Sequence, residues 1–247
     1  FGRVLGQVPE LSINGVFTSD ILNLAYGKQG MLAQYSDVAG VAVDVAGEGI
    51  DDNVIMSGKG GEVVDVWTKV VASPSELAIK SVEMCRAVKG RFIIVDCDGI
   101  GAGVKIELDK LPQEYLYGIT IIGFHGCSTK TLSITVNGVE KRVYANKRAE
   151  AAFIAKERIK KGRAAINKDD VELIEDLEAD QYFEAKQGIQ LLDKEDIKDE
   201  LNGRSPGRGD CYKMLQYAFE QNLEDNTYKD SGWLLKRNSN SHYAVMR

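Results

Sequence analysis

Several common classes of protein are excluded by what this sequence lacks. No apolar run approaches the roughly 20 residues that cross a bilayer as a helix, so a membrane-spanning helix is ruled out. The opening stretch, FGRVLGQVPE, has no initiator Met, no basic segment and no apolar segment. It reads as a chain continuing from something longer, with a domain upstream, and not as a signal peptide. Cysteine is scarce: Cys85, Cys97, Cys127 and Cys211 show no CxxC spacing, which removes the usual zinc and redox patterns and predicts reduced core thiols of an intracellular protein. No GxxxxGK[ST] loop is present, so no ATP site of that type is visible. With two histidines in the chain, His125, after an apolar strand, reads as a loop anchor rather than a general base. The formal charge of −6 argues against nucleic-acid binding by sheer excess of positive charge, but not against a local basic groove around an acidic site.

What is present is the composition of a soluble globular domain with insertions, 247 residues long, 44% hydrophobic and 28% charged. VAVDVAG from Val41, then IDDNVIMSGKGGEVVDVWTKVV, predict three strands in an antiparallel meander, the last two joined by the turn Ser57-Gly58-Lys59-Gly60-Gly61. Pro74 opens a helix with Ser73 as its cap. RFIIV, a helix over residues 101–111 and GITIIGF follow βαβ logic and predict parallel strands, hence a mixed sheet. Asn137-Gly138 between two alternating runs predicts a hairpin. NKRAEAAFIAKERIKKG is an amphipathic helix with Lys156, Arg158, Lys160 and Lys161 on its exposed face. DDVELIEDLEA and DKEDIKDELNG are short helices, and YFEA and GIQLL are candidate strands. A last helix follows Ser205-Pro206, with Tyr212, Leu215 and Phe219 at core spacing. Residues beyond about 222 lack periodicity and read as a tail.

Three aspartates stand at the ends of elements and not on solvated faces. Asp44 lies between Val43 and Val45, Asp96 closes the apolar run Phe92-Ile93-Ile94-Val95, and Asp210 lies near the start of the last long helix. A carboxylate among apolar strand residues demands a cationic partner. If the first and fourth strands are neighbours, Asp44 and Asp96 emerge side by side, and like charges at that distance need a divalent cation between them. Carboxylate oxygens suit Mg²⁺ or Mn²⁺, and two such ions about 4 Å apart support phosphodiester cleavage. The alternative is that each aspartate is an ordinary turn, cap or ion-pair residue. In VDCDGIGAGV, Asp96 and Asp98 compete for the ligand role, because alternation puts both on one side while the strand lasts. The glycines after them do not make a dinucleotide loop: the third is one place early, and the next strand ends in Gly123-Phe124 without an acid.

These segments together resemble the C-terminal nuclease domain of phage large terminases. The likeness runs through RVLGQVPE (3–10), VDVAGEGIDDNVI (43–55), VDCDGIGAGV (95–104), NKRAEAAF (146–153), DKEDIKDEL (193–201) and GRSPGRGD (203–210). It implies an α/β, ribonuclease H-like fold: a mixed β-sheet with an antiparallel three-strand meander plus parallel strands, flanked by helices, with an added β-hairpin. It divides the chain into a linker after an ATPase domain (1–35), the nuclease domain (36–222) and a C-terminal tail (223–247). The metal-binding carboxylates map onto Asp44, Asp96 and Asp210, which are also the catalytic residues, with a fourth acid at Asp51 or the adjacent Asp52. Two Mg²⁺ or Mn²⁺ ions are the implied cofactors. Two departures stand out: Gly207 replaces the acid of an SPD sequence, and Gly209 replaces an acid that some members carry before the last ligand.

The implied activity is endonucleolytic cutting of concatemeric viral DNA at initiation and termination of packaging. The implied partners are double-stranded DNA, the ATPase domain, the small terminase subunit and the portal protein, in the host cytoplasm. Lys130, Lys141, Arg142, Lys147 and Arg148, in and after the hairpin, are candidates to track DNA, and Arg204 and Arg208 are candidates to meet phosphate beside the metals. Another ribonuclease H-like nuclease, such as a Holliday-junction resolvase or transposase core, is the alternative enzyme. A DNA-binding or portal-docking module with latent nuclease activity is the alternative of a different class.

Overall fold

A computed structural model of the chain describes residues 14–47, 51–136 and 138–228. The first 13 residues of the expected linker, RVLGQVPE included, and residues 229–247 of the expected C-terminal tail lie outside the described residues. The expected linker up to residue 35 is corrected from Asn14 onward. β1 (Asn14–Gly15) and α1 (Ser19–Tyr26) belong to the folded body, and Val16, Phe17, Leu22 and Ala25 are buried in its core. Leu22 and Ala25 share a helix face with the preceding Val16-Phe17 pair close by, an apolar surface that a solvated linker would leave in water at about 25 cal/mol per Å².

β2 (Ala39–Asp44), β3 (Asn53–Lys59) and β4 (Glu62–Lys69) form the meander. Its second turn is tighter than expected, because Gly58 and Lys59 remain paired with Val63 and Glu62. α2 (Pro74–Ala87) starts as the sequence predicts, with the Ser73 side chain accepting from Glu76 N at 3.1 Å. The crossover through α2 delivers β5 (Phe92–Asp96) parallel to β2, and α3 (Gly101–Lys110) delivers β6 (Thr120–Phe124) parallel to β5. The central sheet therefore has the order β4-β3-β2-β5-β6.

β7 (Ser133–Val136) and β8 (Val139–Arg142) pair as the predicted hairpin; Asn137 in its turn lies outside the described residues. α4 (Lys147–Lys160) is capped by Asn146, whose side chain accepts from Ala149 N at 3.0 Å. α5 (Val171–Glu178) is the short acidic helix. β9 (Gln181–Ala185) and β10 (Gly188–Leu191) pair with each other, and β9 with β1, in a small separate sheet. α6 (Lys194–Glu200) leads into α7 (Gly207–Tyr228).

β2, β3 and β5 of the central sheet are covered on both faces, which is why β2 and β5 read as nearly continuous apolar runs. Val41, Val43, Ile55, Ile93 and Val95 join Leu77, Val82, Val104 and Leu108 of α2 and α3 in one core. Ala42, Val54, Met56, Phe92 and Ile94 join Ala152, Ile159, Tyr212, Leu215 and Phe219 of α4 and α7 in the other. Arg158, expected on an exposed face, is 2% exposed. It lies between α4 and α7 and bonds Gln216 Oε1 at 2.9 Å and Glu220 Oε2 at 2.7 Å, partners that satisfy a buried guanidinium. Three cysteines are buried as expected, but Cys127 is exposed. Among the described residues no helix is long and apolar enough to cross a membrane.

Candidate metal centre

The parallel register of β2 and β5 builds the site. Val43 is paired with Val95, so the next residues, Asp44 and Asp96, leave adjacent strand ends side by side. Ala42 and Ile94, two residues earlier, lie in the core beneath α7, and strand alternation puts both carboxylates on that same face. The first turn of α7 brings Asp210 across them. Lys194, at the start of α6, places Nζ 2.7 Å from Asp210 Oδ2 and 4.0 Å from Asp96 Oδ2. Lys213, one turn beyond Asp210, bonds Asp210 Oδ1 at 2.9 Å and the buried Asp180 at 2.7 Å.

Burial raises the Asp44 carboxyl to about 7; the pull of Lys194 is not enough to offset it, and Asp210 and Asp96 push the same way as burial. Burial also raises Asp96, against a bond from the Asp98 amide and the charge of Lys194. Asp210 differs: burial pushes it up, but Lys194, Lys213 and Arg148 together hold it well below the usual carboxylate range. Lys194 is in turn held above the ordinary lysine value, chiefly by Asp210 and against its own burial.

The donor chemistry fits a hard divalent cation: three carboxylates are gathered around Lys194, and their like charges require compensation. Among the described residues, no three His, Cys, Asp or Glu side chains form a ready-made metal cage. Lys194, with Lys213 and Arg148 behind it, supplies the positive charge beside the carboxylates in this arrangement.

The two aspartates of VDCDG have separate positions. The strand ends at Asp96. Asp98 turns to the following loop, accepting from Cys127 N at 2.7 Å, and its own amide donates to Asp96 Oδ1 at 3.0 Å. A Cβ at Gly101 would lie 1.8 Å from Asp96 O, so the start of α3 passes too close to the strand end for any side chain. His125 Nδ1 is 3.5 Å from Asp98, and the ring is largely exposed.

Asp51 is engaged by other partners. Lys198 Nζ bonds its Oδ2 at 2.8 Å and Ser205 N donates to its Oδ1 at 3.0 Å, and the Lys198 bond holds its carboxyl below the ordinary value. The two glycine departures have a steric basis. A Cβ at Gly207 would meet Val54 Cγ2 at 2.9 Å and Asp44 Oδ2 at 3.3 Å. One at Gly209 would meet Asp176 Cβ at 2.8 Å, where Gly209 N donates to Asp176 Oδ2 at 2.9 Å.

Beside the acids lies a cleft of about 330 Å³ lined by Asp96, Asp98, Arg148, Lys194, Asp210 and Lys213, with Phe124 and Met214. Of the basic residues expected to meet DNA, Arg148 lines this cleft. Lys130, Lys141 and Arg142 are exposed. Lys147 is bonded to Glu150 Oε2 at 2.6 Å and the Tyr217 hydroxyl at 2.9 Å. Arg204 and Arg208, expected beside the metals, pair instead with the acidic helix α5 and its cap: Arg204 with Glu172, Glu175 and Asp176, and Arg208 with Asp170 and Glu172. Sequence reading missed Lys194 and Lys213. The available signals were the Lys194 position inside the DKEDIKDEL segment and the i,i+3 spacing of Lys213 from Asp210.

A mixed sheet of order β4-β3-β2-β5-β6, with acids at the ends of its two central strands and on the helix packed across them, is a ribonuclease H-like architecture. No family model and no curated protein matches the chain. Solved structures do. The nuclease domain of the large terminase subunit of bacterial virus Sf6 matches with a TM-score of 0.67 and 20% identity, over 82% of this chain and 98% of that one. The large terminase nuclease of a thermophilic phage matches with a TM-score of 0.54 and 13% identity, over 83% and 98%. The large terminase of bacteriophage HK97 matches with a TM-score of 0.55 and 10% identity, over 84% of this chain and 44% of that one. The chain therefore has the fold of large terminase nuclease domains. Sf6 structures are described with calcium or manganese, and those of the thermophilic phage with magnesium or cobalt.

Proposed function

We propose that this chain is the nuclease domain of a phage large terminase, a metal-dependent endonuclease that cuts concatemeric viral DNA when packaging starts and ends. The observation that carries this reading is the placement of Asp44 and Asp96 side by side at adjacent strand ends, with Asp210 packed across them. When bound, Mg²⁺ or Mn²⁺, two ions in this reading, supplies a nucleophilic water at neutral pH and compensates charge at the phosphate. Asp44 and Asp96 hold fixed positions because each ends a strand buried on both faces. Lys213 keeps one oxygen of Asp210 oriented, and Lys194 must give way for the acids to take a cation. Asp51 serves as a fourth ligand only when its bonds to Lys198 and Ser205 open.

Lys130, Lys141 and Arg142 extend the contact with duplex DNA from the exposed hairpin region, and Lys147, Arg204 and Arg208 contribute only by leaving their present ion pairs. The ATPase domain, the small terminase subunit and the portal protein are the remaining partners in this reading, and the host cytoplasm is the place of action. A second reading, a DNA-binding and portal-docking module with latent nuclease activity, is favoured by the Lys194 ammonium bonded in among the acids.

The test is incubation of supercoiled plasmid with the protein in Mg²⁺ or Mn²⁺. Nicking and linearisation are expected, and both vanish in Asp44→Ala and Asp96→Ala. Full activity in either folded variant contradicts the reading.

A further inference from the structure

Three cations line the cleft, and two of them are already engaged: Lys194 and Lys213 bond Asp210. The third, Arg148, is different. Its Nη1 donates to Leu192 O at 2.9 Å, which fixes the guanidinium plane against the segment leading to Lys194. Its Nε and Nη2 are buried and bond to nothing among the described residues. Buried donors of a charged group are costly to leave unmade, and native structures rarely do so without a ligand or water to receive them. Among the described residues no carboxylate pairs with this guanidinium; the acids nearby are already compensated, Asp210 by its two lysines and Asp98 by the Cys127 amide. Arg148 is nonetheless close enough to Asp210 to help hold its carboxyl down.

The Nε–Nη2 edge presents two parallel N–H groups, the arrangement that matches two oxygens of one phosphate. We propose that Arg148 takes the two non-bridging oxygens of one backbone phosphodiester of the bound DNA, and so seats the strand in the cleft against Asp96 and Asp210. This deepens the nuclease reading above and rests on it for the identity of the ligand. It also separates Arg148 from Lys147, its neighbour on α4, which Glu150 and Tyr217 already hold.

The test measures binding of a short labelled duplex DNA in Ca²⁺ by fluorescence anisotropy across a salt series, and single-turnover cleavage in Mn²⁺, for the wild type, Arg148→Ala and Arg148→Gln. The glutamine keeps a donor for Leu192 O and controls for a purely structural role. Both variants are expected to lower the slope of log K against log salt by about 0.9, the value of one lost phosphate contact. Cleavage is expected to fall about 10- to 100-fold, the worth of hydrogen bonds to a charged group. A wild-type salt slope in folded Arg148→Gln overturns the proposal, whatever its cleavage rate. A lowered slope with no cleavage by the wild type overturns the nuclease reading instead and leaves Arg148 as a DNA contact.

Discussion

Asp44 and Asp210 are equally buried, each 6% exposed, yet their carboxyls are displaced in opposite directions. Asp44 stands on a strand whose neighbours along β3 and β5 are apolar, and its nearest compensating charge comes from Lys194, already bonded to Asp210. Asp210 stands on a helix whose next turn carries Lys213, with Lys194 on its other oxygen. Burial alone therefore does not decide the charge of an acid in this site; the placement of ammonium groups does. The strand half of the site has only a share in Lys194, and the helix half carries Lys213 as well.

The largest predicted effect breaks the helix half. Asp210→Asn leaves Lys194 and Lys213 without their shared partner, and breaking a buried pair costs about 3–5 kcal/mol. Thermal unfolding of the metal-free protein should shift down by roughly 10 °C for a chain of this size. An unchanged melting temperature would mean that the two lysines find other partners without cost.

Next comes removal of the shared ammonium. Lys194→Ala takes away the positive charge that competes with a metal, so Mn²⁺ should bind about tenfold more tightly by calorimetry. The same variant without metal should melt lower than the wild type. Equal Mn²⁺ affinity would place the ion away from these carboxylates.

The strand half responds in the opposite sense to pH. With its carboxyl raised to about 7 from 3.8, native Asp44 keeps a proton that the unfolded chain has already released. Stability of the metal-free protein therefore falls as pH rises from about 4 to about 7, and Asp44→Asn should remove that decline. The variant should be more stable than the wild type by a few kcal/mol, on the order of 1.4 for each pH unit between 3.8 and about 7, at pH near 8, while losing cleavage. Asp210 has the reverse sign: its contribution is complete above 3.8 and is lost as pH drops below that value. A destabilised Asp44→Asn protein at alkaline pH would sink this half of the comparison.

The smallest effect is expected at the edge of the cleft. His125 is 63% exposed and 3.5 Å from Asp98, so His125→Ala should leave cleavage within about twofold of the wild type. A large loss in a plasmid assay would give the ring a chemical role.

Much of this molecule is legible in its sequence because local rules and tertiary structure agree. Asp44 and Asp96 close apolar strands that are neighbours in the sheet, the Ser73 cap and Pro74 start α2, and the βαβ pattern makes β2, β5 and β6 parallel. What escaped depends on residues far apart in the chain. Arg158 belongs to a helix full of charge and reads as surface until Gln216 and Glu220 arrive from α7. Arg204 and Arg208 flank the approach to Asp210 in sequence, but α5 draws them into ion pairs. Lys194 begins an acidic helix that looks solvated, and only the fold of α6 over the strand ends brings its ammonium to Asp96 and Asp210.

The central claim is that these three carboxylates hold the catalytic ion. A crystal soaked in Mn²⁺ and measured for anomalous scattering tests it most directly. Density about 2.1 Å from oxygens of Asp44 and Asp96, with Lys194 moved off Asp210, is the predicted result. Density only at surface acids, with Lys194 still bonded to Asp210, would contradict the account.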